Sequence, residues 1–497
     1  MKKQCSRALL VIFLMLLLCP LVLMTGCKSD EEYGVTKDKV HYRYNQQEIS
    51  TERAYRIWSE LAPELAVEEN GKYYLRYWYV SGLSKGFLDM GAEPDHPVIR
   101  SEIRGIPVAS VNCELGKPGK TVTLPDSIRF INKALYGTVN TPANLLYLSA
   151  LATNHVENLE LEGGLYYWGN WQVDYSSSKI GSTVEVREGT VGIADLPGFE
   201  SLDHGETLVI PDSVRCIGEG CFSNTTSRCY PALDLPGVEY VGWKAFEGDG
   251  ARISSVTFSE KLKCISGYAF SGSRVEHVDV SQTDGCVWGE GVFYNTKKLV
   301  SVQLPDGMTT ITSNMFQDSA IASLDLPDSI TSIGWCAFQG CRNLTSVRLP
   351  ENLKTLGYQA FAGTGITEIT VPGGVSEIPK QCFQLCTFLD RVTLSEGVTV
   401  IKEEAFDSCS GLYSVTLPDS LTRIEANAFD DIRDLTVTIP ENVTYLGSYA
   451  FTKTADIRFA DTEGWKAGGT RLSPAELASD AGSLYRDLRS KVWEKEQ

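Results

Sequence analysis

The chain has 497 residues, 43% of them hydrophobic, which is ordinary for a folded soluble protein and enough for three domains or one long repeat array. Its formal charge is −18, and Lys2, Lys3 and Arg7 are the only charged residues before Cys27, so the remainder is more acidic still. Such a surface repels phosphates, and no basic stripe with interleaved aromatics is present, which excludes a nucleic-acid partner.

The chain opens with those three basic residues and an apolar run of 17 residues from Ala8 to Met24, interrupted by Pro20. A basic start, an apolar stretch and small residues before a cut read as an export signal over residues 1–26. The alternative is a retained membrane helix, for which the run is at the short limit. "LMTGC" at 23–27 resembles the bacterial lipobox, with Met24 where the family usually has Leu. That resemblance implies cleavage before Cys27, with lipid on its thiol and new amine, and places the protein in a bacterial cell envelope on the extracytoplasmic face. Acyl chains contribute about 0.8 kcal/mol per buried CH₂, so more than one chain anchors firmly. Residues 27–49, hydrophilic at their start, follow as a tether.

Residues 50–62 place Ala54, Ile57, Trp58 and Leu61 on one helical face, with Pro63 as the stop. Residues 50–72 are therefore expected to form a helical N-terminal cap, or else a helix that binds a partner. "GLSKG" at 82–86 matches GxSxG in letters only, because no alternation of strands and long helices follows to build a hydrolase elbow around Ser84.

Residues 206–458 carry a strict repeat. Phe occurs at 222, 246, 270, 293, 316, 338, 361, 383, 406, 429 and 451, in steps of 22 to 24. Ala precedes it seven times, with Cys221, Val292, Met315 and Cys382 as the exceptions. Five residues before each Phe stands an aliphatic residue such as Ile333 or Leu356, Trp288 being the odd one. A second marker is Pro after an aliphatic residue, as at Pro305, Pro327, Pro350 and Pro418. A fixed period of this length signals a solenoid. In "LTSVRLP", Leu344, Val347 and Leu349 face one side and Ser346 and Arg348 the other, as on a strand. Pro350, lacking an N–H, ends that strand. One such coil cannot cover its apolar face, but stacked coils cover each other.

The pattern LxxVxLPxxIxxIxxxAFxxC resembles the BspA-type leucine-rich repeat of bacterial surface proteins. The fold expected is a leucine-rich repeat solenoid, with one short parallel strand per 22–24-residue repeat, turns and short helical segments, closed by helical caps at both ends. Weaker copies extend it over residues 73–205: "VREGTVGIADLPGF" at 186–199, "LPDSIRFINKAL" at 124–135 with Leu135 in place of Phe, and opening strands in "EIRGIPVASV" at 102–111. Residues 459–497 leave the repeat. There Ser473-Pro474-Ala475-Glu476 forms a capping box with Pro at the first helical position, starting a helix expected to reach about Trp493 as the C-terminal cap.

Chemistry is sparse. The five histidines show no ligand spacing, and no HExxH or phosphate-binding loop occurs, so no catalytic residue, metal or cofactor is assigned and the chain reads as a non-enzyme. Eleven cysteines follow Cys27, mostly at repeat-defined slots. They read as small buried thiols. If an inter-coil disulfide forms, Cys386–Cys409 is the pair, since only these share a slot on adjacent coils, about 4.8 Å apart. The outward strand positions form polar columns, and His277, Asp279, Gln303, Asp325, Arg348, Glu368 and Arg391 are the candidate contacts, the two arginines foremost. The same columns could also be a merely solvated sheet. Resemblance to the surface-protein family implies adhesion for some members. The expected function is therefore non-enzymatic binding of an extracellular protein or glycan by a protein held to the membrane through its lipid, with a scaffold for other envelope proteins as the alternative.

Overall fold

The computed structural model describes residues 32–34, 40–49, 66–69, 72–83, 102–103, 106–111, 115–131, 135–145, 147–148, 155–162, 165–175, 183–194, 207–223, 229–248, 252–453 and 456–496. Cys27, the expected signal segment and the expected helix over 50–62 lie outside the described residues. The chain packs as two units, one of residues 1–253, 258–269 and 286–289, the other of residues 254–257, 270–285 and 290–497.

The first unit begins with antiparallel strands. Val40–Ile49 pairs with Lys72–Leu83, which also takes Ala66–Glu69, so the end of the segment expected to be a helical cap is a strand. Glu102–Ile103 and Ile106–Val111 form the opening hairpin, antiparallel as their short connection requires. Coiling then begins. Ile106–Val111, Phe130–Ile131 and Tyr147–Leu148 are parallel neighbours, and so are Leu115–Val122, Leu135–Val139 and His155–Val156. Leu135 is buried as its repeat requires, but it stands in a strand rather than in the slot of a Phe, because it comes one residue too soon after Ile131. An antiparallel interruption follows at Glu160–Glu162, Leu165–Trp168 and Trp171–Tyr175. The ladder then resumes in parallel from Trp171–Tyr175 through Gly192–Ile193, Cys216–Ile217, Tyr240–Val241 and Cys264–Ile265 to Val287–Trp288. Phe222 and Phe246 stack with centroids 5.0 Å apart.

The second unit is a parallel solenoid in which each element follows from the repeat. The aliphatic position five before the Phe forms a two-residue strand, so that Ile378, Ile401, Ile424 and Leu446 lie in register and fully buried. The opposite side of the coil carries the longer strands Glu368–Val371, Arg391–Leu394, Ser414–Thr416, Thr436–Ile439 and Asp456–Phe459, and in the first, second and fourth of these buried residues alternate with outward ones. There are thus two strands per coil where one was expected. Between them the Pro marker makes a tight turn. Ile330 N–H donates to Pro327 O at 3.1 Å, Leu353 to Pro350 at 3.0 Å and Leu421 to Pro418 at 3.1 Å. Proline opens each turn by supplying the accepting carbonyl, and its missing N–H ends the preceding strand.

Nine phenylalanines from Phe270 to Phe451 form one file, each ring stacked on the next at 5.0–5.6 Å and within 20° of parallel. The residue before each ring is small or slender because it too is fully buried: Ala337, Ala360 and Ala405 have no exposed surface. The segments carrying the rings were expected to contain short helices. They contain none among the described repeats. The residue two before the ring is left-handed in every coil of this unit from Gly291 to Tyr449, including Asn314, Cys336, Gln359, Gln381 and Glu404, all at φ between +53 and +59°. A left-handed residue cannot sit inside a right-handed helix, so the backbone bends outward and its N–H groups bond to the neighbouring coil. Phe338 N–H donates to Ala360 O and Phe361 N–H to Cys382 O, at 2.8 and 2.9 Å.

Beyond the last coil comes the unit's helix, α1 (Pro474–Leu488), with Ser473 Oγ accepting from Glu476 N–H as the capping box predicts. Tyr485 meets Phe451 edge-on at 6.0 Å. Trp493, expected near the helix end, lies instead on the strand Trp493–Lys495, antiparallel to Tyr445–Leu446. The helix stops early because a buried Trp493 between solvent-facing neighbours follows the two-residue period of a strand, and that strand supplies the backbone partners the last coil lacks.

Candidate binding surface

The outward residues of the longer strands stand in register because parallel pairing places the same repeat position of each coil beside the next. Ser255, His277 and Ser301 form one column and Thr257, Asp279 and Gln303 the adjacent one. Farther along, Glu368, Arg391, Ser414, Thr436 and Asp456 form a column beside Thr370, Thr393 and Thr416. Asp325 and Arg348 lie on the coils between, where Ser323 bridges Ser346. All seven candidate residues therefore lie on one side of the second unit. Six are exposed and Asp279 is half-buried.

Their side chains are partly engaged with one another. His277 Nδ1 and Ser301 Oγ are 2.9 Å apart, and Asp279 accepts from Ser281 N–H. Arg348 reaches Asp328 at 2.5 Å. Arg391 donates to Tyr413 Oη at 3.2 Å and lies beside Glu368 in its column, and both contacts hold its guanidinium above its ordinary value. Exposed pairs of this kind are weak and exchange readily for another partner. Tyr413, 46% exposed, is an aromatic neighbour the sequence reading missed, because it precedes the strand and lies outside the outward columns. Arg423 lies over the Tyr445 ring at 3.5 Å, a cation–π contact between coils.

The cysteines sit at repeat slots as expected, and Cys216, Cys264, Cys341, Cys382, Cys386 and Cys409 are buried. Cys386 and Cys409 are both free thiols, each donating to the phenylalanine carbonyl of the preceding coil: Phe361 O at 3.1 Å and Phe383 O at 3.0 Å. Burial pushes the Cys341 thiol up to about 12 and holds Cys409 well above its ordinary value, so these groups stay protonated at neutral pH.

The repeat geometry is what comparison with known proteins recognises. A family profile described as BspA type leucine rich repeat region matches in six copies over residues 198–321, 287–390, 309–436 and 376–463, together more than half of the chain. The chain belongs to the BspA-type leucine-rich repeat family. Several solved structures are similar to the chain. A leucine-rich repeat protein from Bacteroides ovatus is 21% identical, with 79% of this chain and 85% of that one covered, at a TM-score of 0.44. The pneumococcal vaccine antigen PcpA is 17% identical, covering 62% of this chain and 82% of that one, at 0.38. A leucine rich cell surface protein from Faecalibacterium prausnitzii is 15% identical, covering 78% and 95%, at 0.32. No curated protein matches the chain. The family supplies a repeat scaffold; a ligand has to be sought in the side chains it displays.

Proposed function

We propose that this BspA-type protein is a non-enzymatic binding protein of the bacterial cell surface, carried on a lipid at Cys27, whose second unit contacts an extracellular protein or glycan through its strand face. The observation behind this is the registered wall of outward side chains, in which Glu368, Arg391, Ser414, Thr436 and Asp456 stand side by side on successive coils. Parallel registration multiplies one repeat position into a row, and rows of this kind suit extended ligands. Arg391 with Tyr413, and Arg348, offer the side-chain types that dominate binding energies. The N-terminal pattern supports the anchor, since more than one acyl chain is needed for stable attachment and a lipobox cysteine receives them at two positions.

The test uses the full chain extracted in detergent and held on a surface through its C-terminus. Collagen, fibronectin, laminin and purified host glycans are passed over it, alongside an Arg348→Ala/Arg391→Ala variant. Saturable binding that weakens at least about tenfold in the variant is expected. Equal binding by both chains would remove the strand face from the reading. Incorporation of labelled palmitate, lost in Cys27→Ala, tests the anchor separately. A scaffold role for other envelope proteins is the second reading. It is favoured if crosslinking in the native cell captures the same envelope proteins repeatedly while no extracellular ligand binds.

A further inference from the structure

Three residues before each phenylalanine, the coil turns through a position that in the second unit holds Glu290, Ser313, Lys380, Glu403, Ala426 and Ser448. Two adjacent coils break this column with aromatics, Trp335 and Tyr358. Trp335 is 68% exposed, more than any other large apolar side chain described, and Tyr358 is 40% exposed. Nothing in the repeat requires either, because the ring that fills each coil is the phenylalanine three residues on.

The backbone holds the two in fixed relation. Each follows a glycine, and a Cβ on Gly357 would fall 2.4 Å from the carbonyl of Gly334. The coils therefore touch through bare backbone immediately before both rings. Cys336 N–H donates to Tyr358 O at 2.9 Å, closing the same contact from the other side. The step from one coil to the next is set here by Phe338 and Phe361, whose centroids are 5.1 Å apart.

The ground beside them is polar and, as far as Gln381, built of uncharged amides. A chain of primary amides runs across the coils, from Gln317 to Gln339 at 2.7 Å, Gln339 to Gln359 at 2.9 Å and Gln359 to Gln381 at 2.9 Å, ending on the Glu404 carboxylate. Tyr358 Oη donates to Gln381 Oε1, which ties the exposed ring to this ladder. The one cation that continues the column, Lys380, is neutralised by Glu403 at 2.8 Å.

We propose that Trp335 and Tyr358 form a stacking platform for consecutive residues of an uncharged, extended β-1,4-linked glycan, with the amides of Gln359 and Gln381 meeting its hydroxyls. This rests on the reading of the array as a binding module but moves the ligand from the strand face to the turn edge. A pyranose with equatorial hydroxyls offers an apolar axial C–H face to an aromatic ring, and its rim needs uncharged donors and acceptors. A primary amide has two N–H donors, and the ladder uses one of them. Along the amides themselves an acidic or basic peptide finds no charge to answer its own, the one carboxylate being Glu404 at the far end of the ladder. The coil step also lies close to the repeat of an extended β-1,4-linked chain, so neighbouring rings can serve neighbouring sugars.

The experiment titrates the full chain in detergent with cellohexaose and, separately, with maltohexaose, whose α-linkages curl the chain. Cellohexaose is expected to bind, and maltohexaose to bind at least about tenfold more weakly; Trp335→Ala is expected to weaken cellohexaose by about tenfold or more and Tyr358→Ala by less. Trp335→Phe keeps a ring and should retain most of the affinity, which separates stacking from a folding defect. An unchanged thermal midpoint in the Trp335→Ala chain is the companion check. No cellohexaose binding, equal binding of both sugars, or an affinity indifferent to Trp335→Ala would each overturn the platform. If cellohexaose fails while collagen, fibronectin or laminin binds in an Arg391-dependent way, the platform falls and the strand-face reading stands. If neither occurs, both fall.

Discussion

Phe361 lies 5.1 Å from Phe338, ring over ring and 12° from parallel, although 23 residues of chain separate them. Both rings are fully buried, so each is the floor of one coil and the ceiling of another. Phe361→Ala therefore opens a cavity between two coils at once. The expected loss is roughly 3–5 kcal/mol of unfolding free energy by denaturant titration. A loss below about 1 kcal/mol would mean that the file closes up around the gap, contrary to the packing described.

Gly357 is where two coils meet without side chains. Its substitution by Ala places a methyl group 2.4 Å from the Gly334 carbonyl, which no rotamer can relieve because the obstacle is backbone. Overpacking of this kind should cost about 1–3 kcal/mol. Gly469 has open space around its Cβ but a φ of +83°, so Gly469→Ala tests backbone strain alone and should cost about 1 kcal/mol. Equal and negligible effects at both positions would contradict the close approach.

Leu385 is left-handed at φ +61° and 55% exposed, in the slot that Gly340 and Gly363 fill on the preceding coils. Leu385→Gly should raise stability by up to about 1 kcal/mol, because relief of the Cβ clash outweighs the added freedom of the unfolded chain. A fall in the denaturant midpoint would show that the exposed leucine makes contacts worth more than its strain.

The buried thiols predict an alkaline weakening. The thiol of Cys341 titrates at about 12 in the folded chain against 9.0 ordinarily, because burial disfavours the thiolate. The folded state thus binds the proton more tightly than the unfolded state. The associated stability is fully present below pH 9 and is lost as pH rises through about 12. The denaturant midpoint should fall between pH 9 and 11, and less steeply in Cys341→Ala. The same burial predicts that iodoacetamide at pH 8 labels Cys386 and Cys409 only after unfolding. Two thiols missing after unfolding without reductant, and recovered with it, would identify the inter-coil disulfide instead.

Arg348 and Arg391 are exposed, and each keeps a partner in Asp328 or Tyr413. Replacing either by Ala should leave the thermal midpoint where it is, since exposed pairs add little to stability. Any loss of ligand binding in these variants then reports contact and not folding.

The repeat was legible because every coil repeats one environment. A buried ring, a slender residue before it and an aliphatic residue five before it recur wherever the chain crosses the same slot, so a one-dimensional pattern reports a packed core. The turn at Pro327 was legible for the same reason, as was the start of α1 at Ser473. The end of α1 was not, because Trp493 reads as well on a helix face as on a strand, and only the unpaired edge at Tyr445–Leu446 decides for the strand. The absence of helix before each ring was hidden too: Cys336, Gln359 and Glu404 have no common side chain to mark the left-handed position they share.

By itself the sequence determined the coil period, the interior and the outward columns, because these depend on residues near one another in the chain or recurring at a fixed step. Tertiary structure alone decided which surface side chains meet. Arg391 and Tyr413 and the glutamine ladder each join residues twenty or more positions apart, Trp335 and Tyr358 sit on coils joined through their backbone, and no periodic rule of burial governs exposed residues, so stacking of the coils is what brings them together.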